Sequence, residues 1–157
     1  MNIKLLAIGK TDQEYLKEGV SLFEKRLKFY TQFELKVIPD LKNSKNLSEE
    51  QQKSEEGKLI LKEIQNTDFV VVLDDKGKQL TSIGLSKFID NHQINSTKTL
   101  VLIIGGPYGF SEEVYARANY KWSLSLLTFS HQMIRLFVVE QLYRAYTILK
   151  GEPYHHE

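Results

Sequence analysis

Two runs of the chain, Phe69-Val70-Val71-Val72-Leu73 and Leu100-Val101-Leu102-Ile103-Ile104, are apolar without a break and rich in β-branched residues. A strand with one face in water alternates apolar and polar side chains, because successive residues point to opposite faces. Unbroken runs therefore predict strands covered on both faces, as in a parallel sheet with helices on each side. The first run leads into Asp74-Asp75-Lys76-Gly77, read as a turn, and the second into Gly105-Gly106-Pro107-Tyr108-Gly109.

The rest of the chain supplies the helices and outer strands. Residues 3–8 read as a short buried strand ended by Gly9, and residues 33–38 as another stopped by Pro39. Thr11 with Glu14 has the spacing of a capping box ahead of Leu16, Val20, Phe23 and Leu27, which share one helical face. Ser48 with Gln51 repeats that signal before a polar helix through Leu59, Ile60 and Ile64, and Leu85, Phe88 and Ile89 mark a helix closing near Asn91. A further helix starts at Ser111, with Glu112 and Glu113 at its positive end. Residues 122–126 read as a fifth strand. Residues 131–150 form the longest helix, with Ile134, Phe137, Val138, Leu142, Ala145 and Leu149 inward, stopped by Gly151 and Pro153. Strands alternating with helices predict a single α/β domain over residues 1–157, a mostly parallel sheet with helices on both faces.

Composition removes several kinds of function. With no cysteine among 157 residues, disulfide frameworks, cysteine-ligated zinc, iron–sulfur clusters and thiol catalysis are excluded. Neither a signal sequence nor a membrane-length apolar run is present, so a soluble cytoplasmic protein is expected. The 21 basic and 20 acidic residues are spread evenly, 12 against 11 over residues 1–66 and 9 against 9 over residues 67–157. A chain without a basic surplus is poorly suited to gripping naked nucleic acid through counterion release, which leaves a structured or composite partner.

Ligands of open parallel sheets sit beyond the carboxyl ends of the strands, where residues 105–109 fall. Those glycines suit either a close backbone approach to a ligand or simply a tight turn. The dinucleotide turn, the phosphate loop and the nucleophile elbow are absent. His131 and Arg135, four apart, share a helix face; read structurally, one caps the first turn and the other is solvated. Glu140 and Arg144 have the favourable order of a surface ion pair. The tail Tyr154-His155-His156 reads as a frayed end, a metal clip with His131, or a tag remnant.

Taken together, Gly105-Gly-Pro-Tyr-Gly109, Trp122-Ser-Leu-Ser, Leu127-Thr128, His131, Arg135, Glu140-Gln-Leu-Tyr-Arg-Ala145 and Gly151-Glu-Pro-Tyr-His155 resemble the ribosomal RNA large subunit methyltransferase H family. The likeness runs from the opening Lys4-Leu-Leu-Ala-Ile-Gly9 to the tail. It implies a SPOUT α/β-knot fold with a C-terminal trefoil knot and a homodimer binding S-adenosylmethionine. It also implies methylation of N3 of a pseudouridine in the helix 69 loop of 23S ribosomal RNA, on the assembled ribosome, with no metal. Carried over residue by residue, the cofactor contacts are Leu73, Gly105, Leu124, Ser125, Leu126, Leu127, Thr128 and Phe129. Arg135 is then expected to bind phosphate or a developing anion, and His131, Tyr154 or His155 to orient substrate or handle a proton. Two positions depart from the family pattern: Ser130, where proline is common, and His156, where a basic residue is common. The rival reading is a non-catalytic nucleotide-binding or ribosome-associated module of the same fold.

Overall fold

The computed structural model describes residues 1–156, so Glu157, the last residue of the expected domain, lies outside the described residues. Strands and helices alternate along the chain: β1 (Asn2–Ile8), α1 (Glu14–Leu27), β2 (Gln32–Ile38), α2 (Glu49–Lys62), β3 (Phe69–Gln79), α3 (Ser82–Ile94), β4 (Thr99–Ile104), α4 (Glu112–Arg117), β5 (Tyr120–Ser123) and α5 (Met133–Leu149). The sheet order is β2-β1-β4-β3-β5. Every neighbouring pair is parallel, so the expected mostly parallel sheet is wholly so.

The unbroken apolar runs are buried on both faces, as their composition requires. Val71, Leu73, Leu100, Leu102 and Ile104 face Val20, Leu27, Leu85, Ile89, Val138 and Leu142 from α1, α3 and α5. Val70, Val72, Val101 and Ile103 face Ile60 of α2 and Val114 of α4. The register pairs Val70 with Val101 and Val71 with Leu102, which keeps each face consistent across the strands. Connections running toward the β2 edge pass over the α1/α3 face, and those toward β5 pass over the α2/α4 face. All four crossovers therefore share one hand, as twisted strands demand. Among the described residues no helix is long and apolar enough to cross a membrane.

Local chemistry explains where the elements depart from expectation. Ser48 and Gln51 form the full capping box of α2, with reciprocal bonds of 3.1 and 2.9 Å. Thr11 does not cap α1, which starts at Glu14 behind an uncapped Gln13. Its hydroxyl instead accepts from Arg135 Nη1 at 3.0 Å. Residues 74–77 are not a strand-ending turn but an irregular insertion within β3, since Leu73 and Lys78 both pair with Trp122. Gly77 is required there, because a side chain would meet the Lys121 carbonyl at 2.7 Å. β5 ends at Ser123 rather than residue 126. Ser123 Oγ donates to the Ser125 carbonyl and Ser125 Oγ accepts from the Leu127 amide, turning the chain out of the ladder. On α5 the inward face carries Arg135, Val139 and Tyr146 as well as Val138, Leu142 and Ala145, while Phe137, expected inside, is 40% exposed.

Candidate functional site

The carboxyl ends of β4, β3 and β5 open into a cleft of about 460 Å³. One wall is the glycine loop after β4, including Gly105, Gly106, Pro107 and Gly109; another is the segment between β5 and α5. Of the residues carried over as cofactor contacts, Leu73, Gly105, Leu124, Ser125, Leu127, Thr128 and Phe129 line it, and so does His131. Leu126 does not; its side chain is 77% exposed to solvent. Ile104, Phe110, Trp122 and Ile134 complete an apolar interior, the usual character of a small-molecule site.

Hydroxyl side chains and His131 share the lining of the cleft with two acids. Asp74 and Asp75 line it, and no lysine or arginine does among the described residues. Asp74 accepts from the Tyr115 hydroxyl at 2.6 Å and from the Lys76 amide at 2.9 Å. Burial alone raises this carboxyl, but those two bonds, with Asp75 and the charge of Lys121, outweigh it and hold Asp74 below the usual carboxylate range. Tyr115 is pushed up in turn, by burial and then by its bond to Asp74, and Lys121 lies 4.6 Å over its ring. The Asp-Asp pair reads in the sequence only as a turn, so neither Asp74 nor Tyr115 is visible there as part of a site.

Arg135 lies elsewhere. It is fully buried, not the solvated residue its helical position suggests, and it does not line the cleft. Its guanidinium donates to the carbonyls of Ile8 and Gly9, each at 2.7 Å, and to Thr11, while Nε bonds the His131 carbonyl at 3.1 Å. The group thus ties the end of β1 to the start of α5. Gln132 and Asp12 strengthen the same seam with reciprocal bonds of 2.8 Å.

The tail folds back on α5. Tyr154 donates to Glu140 at 3.0 Å, and Arg144 stacks 4.7 Å from its ring while pairing with Glu140 at 2.6 Å. His155 Nδ1 lies 3.3 Å from Arg144. Burial first, then the bond to Glu140, raises the Tyr154 phenol. Glu140 and Arg144 are therefore the anchor of the tail as well as the ion pair their spacing predicts. Neither Tyr154 nor His155 lines the cleft of its own chain, and no three described His or acidic side chains converge as a metal clip requires.

A larger hollow of about 680 Å³ lies at the opposite, amino end of the sheet, between Asn2, Lys4, Lys28, Phe29, Glu34 and Glu63. Its size does not make it the better candidate. Lys4 and Lys36 pair with Glu63 there and Lys28 with Glu24, and amino ends of parallel strands lack the converging loops that hold ligands.

Comparison with known proteins gives the family. A family model described as "Predicted SPOUT methyltransferase" matches residues 1–155. The chain is 58% identical over 156 residues to the ribosomal RNA large subunit methyltransferase H of Christiangramia forsetii, covering 99% of both chains. It is 56% identical to the protein of that name from Flavobacterium johnsoniae and 55% to that from Parabacteroides distasonis, over the full length of each. With a parallel α/β sheet, a cleft at its carboxyl ends and relatives alike from end to end, the chain belongs to the SPOUT methyltransferase family, among the ribosomal RNA large subunit methyltransferase H proteins.

Proposed function

We propose that this protein transfers a methyl group from S-adenosylmethionine to N3 of a pseudouridine in the helix 69 loop of 23S ribosomal RNA, as a homodimer acting on the assembled cytoplasmic ribosome, with its C-terminal region tied in a trefoil knot. The observation that carries the reading is that all the cofactor positions implied by the resemblance except Leu126 line the cleft at the carboxyl ends of β4, β3 and β5. Apolar walls such as Leu73 and Leu127 suit an adenine ring, and the glycine loop and residues 124–129 offer main-chain groups to its edge. Asp74 and Asp75, which line the cleft where no lysine or arginine does among the described residues, suit a positively charged ligand. When bound, S-adenosylmethionine supplies the electrophilic methyl of its sulfonium.

The chain's own work is positioning and proton handling. His131, at the cleft wall, is the residue of this chain placed to orient the base or take its N3 proton. Tyr154 and His155 are held on α5 by Glu140 and Arg144, preorganised to meet substrate at the cleft of a second copy. Exposed Leu126 and Phe137 beside the cleft supply an apolar surface for that copy. Arg135 keeps the α5 start in register with β1, a positioning role that replaces the phosphate contact expected from its sequence position.

The test is incubation with methyl-labelled S-adenosylmethionine and ribosomes from cells lacking the gene. Label in large-subunit RNA, at a pseudouridine after nuclease digestion and mass spectrometry, is the expected result. A chain that binds the methyl donor yet transfers no label would be the non-catalytic module instead.

A further inference from the structure

Behind the glycine loop sits a carboxyl group that the chemistry above does not use. Glu56, on α2, is 3% exposed, and its Oε1 has no hydrogen-bond partner. Its other oxygen receives one long bond, 3.4 Å from Gln52. A buried carboxylate so poorly paired is costly, which favours the proton-bearing form. Burial drives Glu56 that way, and the charge of Asp40 adds to it.

What Glu56 touches gives it a role. A methyl group built on Gly106 would lie 2.7 Å from both carboxyl oxygens of Glu56 and 3.0 Å from its Cδ. The carboxyl is seated flat against the Cα of Gly106, in the place a side chain would take. On the neighbouring strand the arrangement repeats: a methyl on Gly9 would lie 2.7 and 2.8 Å from the oxygens of Asp40. β1 and β4 are adjacent, so each of two neighbouring strand ends carries a glycine backed by an acid.

We infer that Glu56 is a positioning residue of the cleft: its carboxyl backs Gly106 and fixes the Gly105–Gly109 loop in the form that accepts the cofactor. A glycine at 106 leaves the space that the Glu56 carboxyl fills. The sequence pattern offers ligand approach or a tight turn for that glycine; the contact with Glu56 adds a packing reason. This rests on the reading of the cleft as the S-adenosylmethionine site.

The test is a double-mutant cycle read by calorimetric S-adenosylmethionine binding on the full chain, with melting temperature as a check on folding. Gly106→Ala, which drives a methyl into the carboxyl, weakens binding about tenfold, and Glu56→Ala, which removes the backing, weakens it by a similar factor. The double variant, whose new methyl occupies the vacated space, returns to within about threefold of the wild type. Glu56→Gln, a neutral isostere, also binds within about threefold. In turnover, Gly106→Ala and Glu56→Ala raise KM for the methyl donor while kcat changes little, a split that loss of stability alone would not produce. A double variant as weak as Gly106→Ala, or a Glu56→Gln variant as weak as Glu56→Ala, overturns the inference. Wild-type protein that binds no S-adenosylmethionine overturns the functional reading and this one with it; wild-type binding without rescue overturns this one alone.

Discussion

Arg135 shows how one buried cation can be worth more to a fold than to its chemistry. Its donors satisfy the carbonyls that β1 leaves at its end, Ile8 and Gly9, and replacing it strands both inside the protein. Arg135→Ala should therefore destabilise the chain by about 3 kcal/mol, measured by urea unfolding. A variant of native stability that had lost only RNA affinity would restore the phosphate-binding role. Glu56 gives the second prediction at this scale. Its carboxyl is raised in the folded state by burial, offset in part by Gln52 and reinforced by Asp40. The folded chain thus holds the proton more tightly than the unfolded one, and this group's contribution is full below the ordinary glutamate range and is lost as pH rises through the folded value. Glu56→Gln should accordingly melt higher than wild type at pH 8, with the gap closing toward pH 4; a gap independent of pH would contradict this.

Among the elements, legibility followed the range of the interactions that set them. Helix α2 begins where Ser48 and Gln51 say, because both halves of its cap lie within four residues. Ser48→Ala should cost about 1 kcal/mol in thermal or urea unfolding; no loss would mean the cap is redundant. The same motif at Thr11 and Glu14 misleads, since the hydroxyl is claimed by Arg135, 124 residues away. Burial of β3 and β4 is written in their unbroken apolar runs, but the continuation of β3 to Gln79 depends on pairing with β5, which no local pattern announces. Most of the cleft wall was legible by family motif, and its place at the strand ends by topology. Asp74, Tyr115 and Glu56 were not, because their roles arise from contacts between separate elements.

For the whole molecule, the sheet order places the glycine loop and residues 124–131 around one cleft while the tail is fastened away from it on α5. In the proposed function a second chain completes the substrate site. Light scattering at micromolar concentration should give twice the mass of the 18.2 kDa chain, and Phe137→Lys, placing a charge in the exposed apolar surface beside the cleft, should shift it toward monomer with loss of transfer. A wild-type monomer of full activity would sink the shared site. The central claim, that the cofactor is held at the carboxyl ends of the strands, is tested most directly by amide hydrogen exchange with and without S-adenosylmethionine. Slowed exchange at residues 105–109 and 124–131, with residues 28–34 at the amino-end hollow unchanged, is the predicted result; protection at residues 28–34 with the cleft unaffected would contradict it.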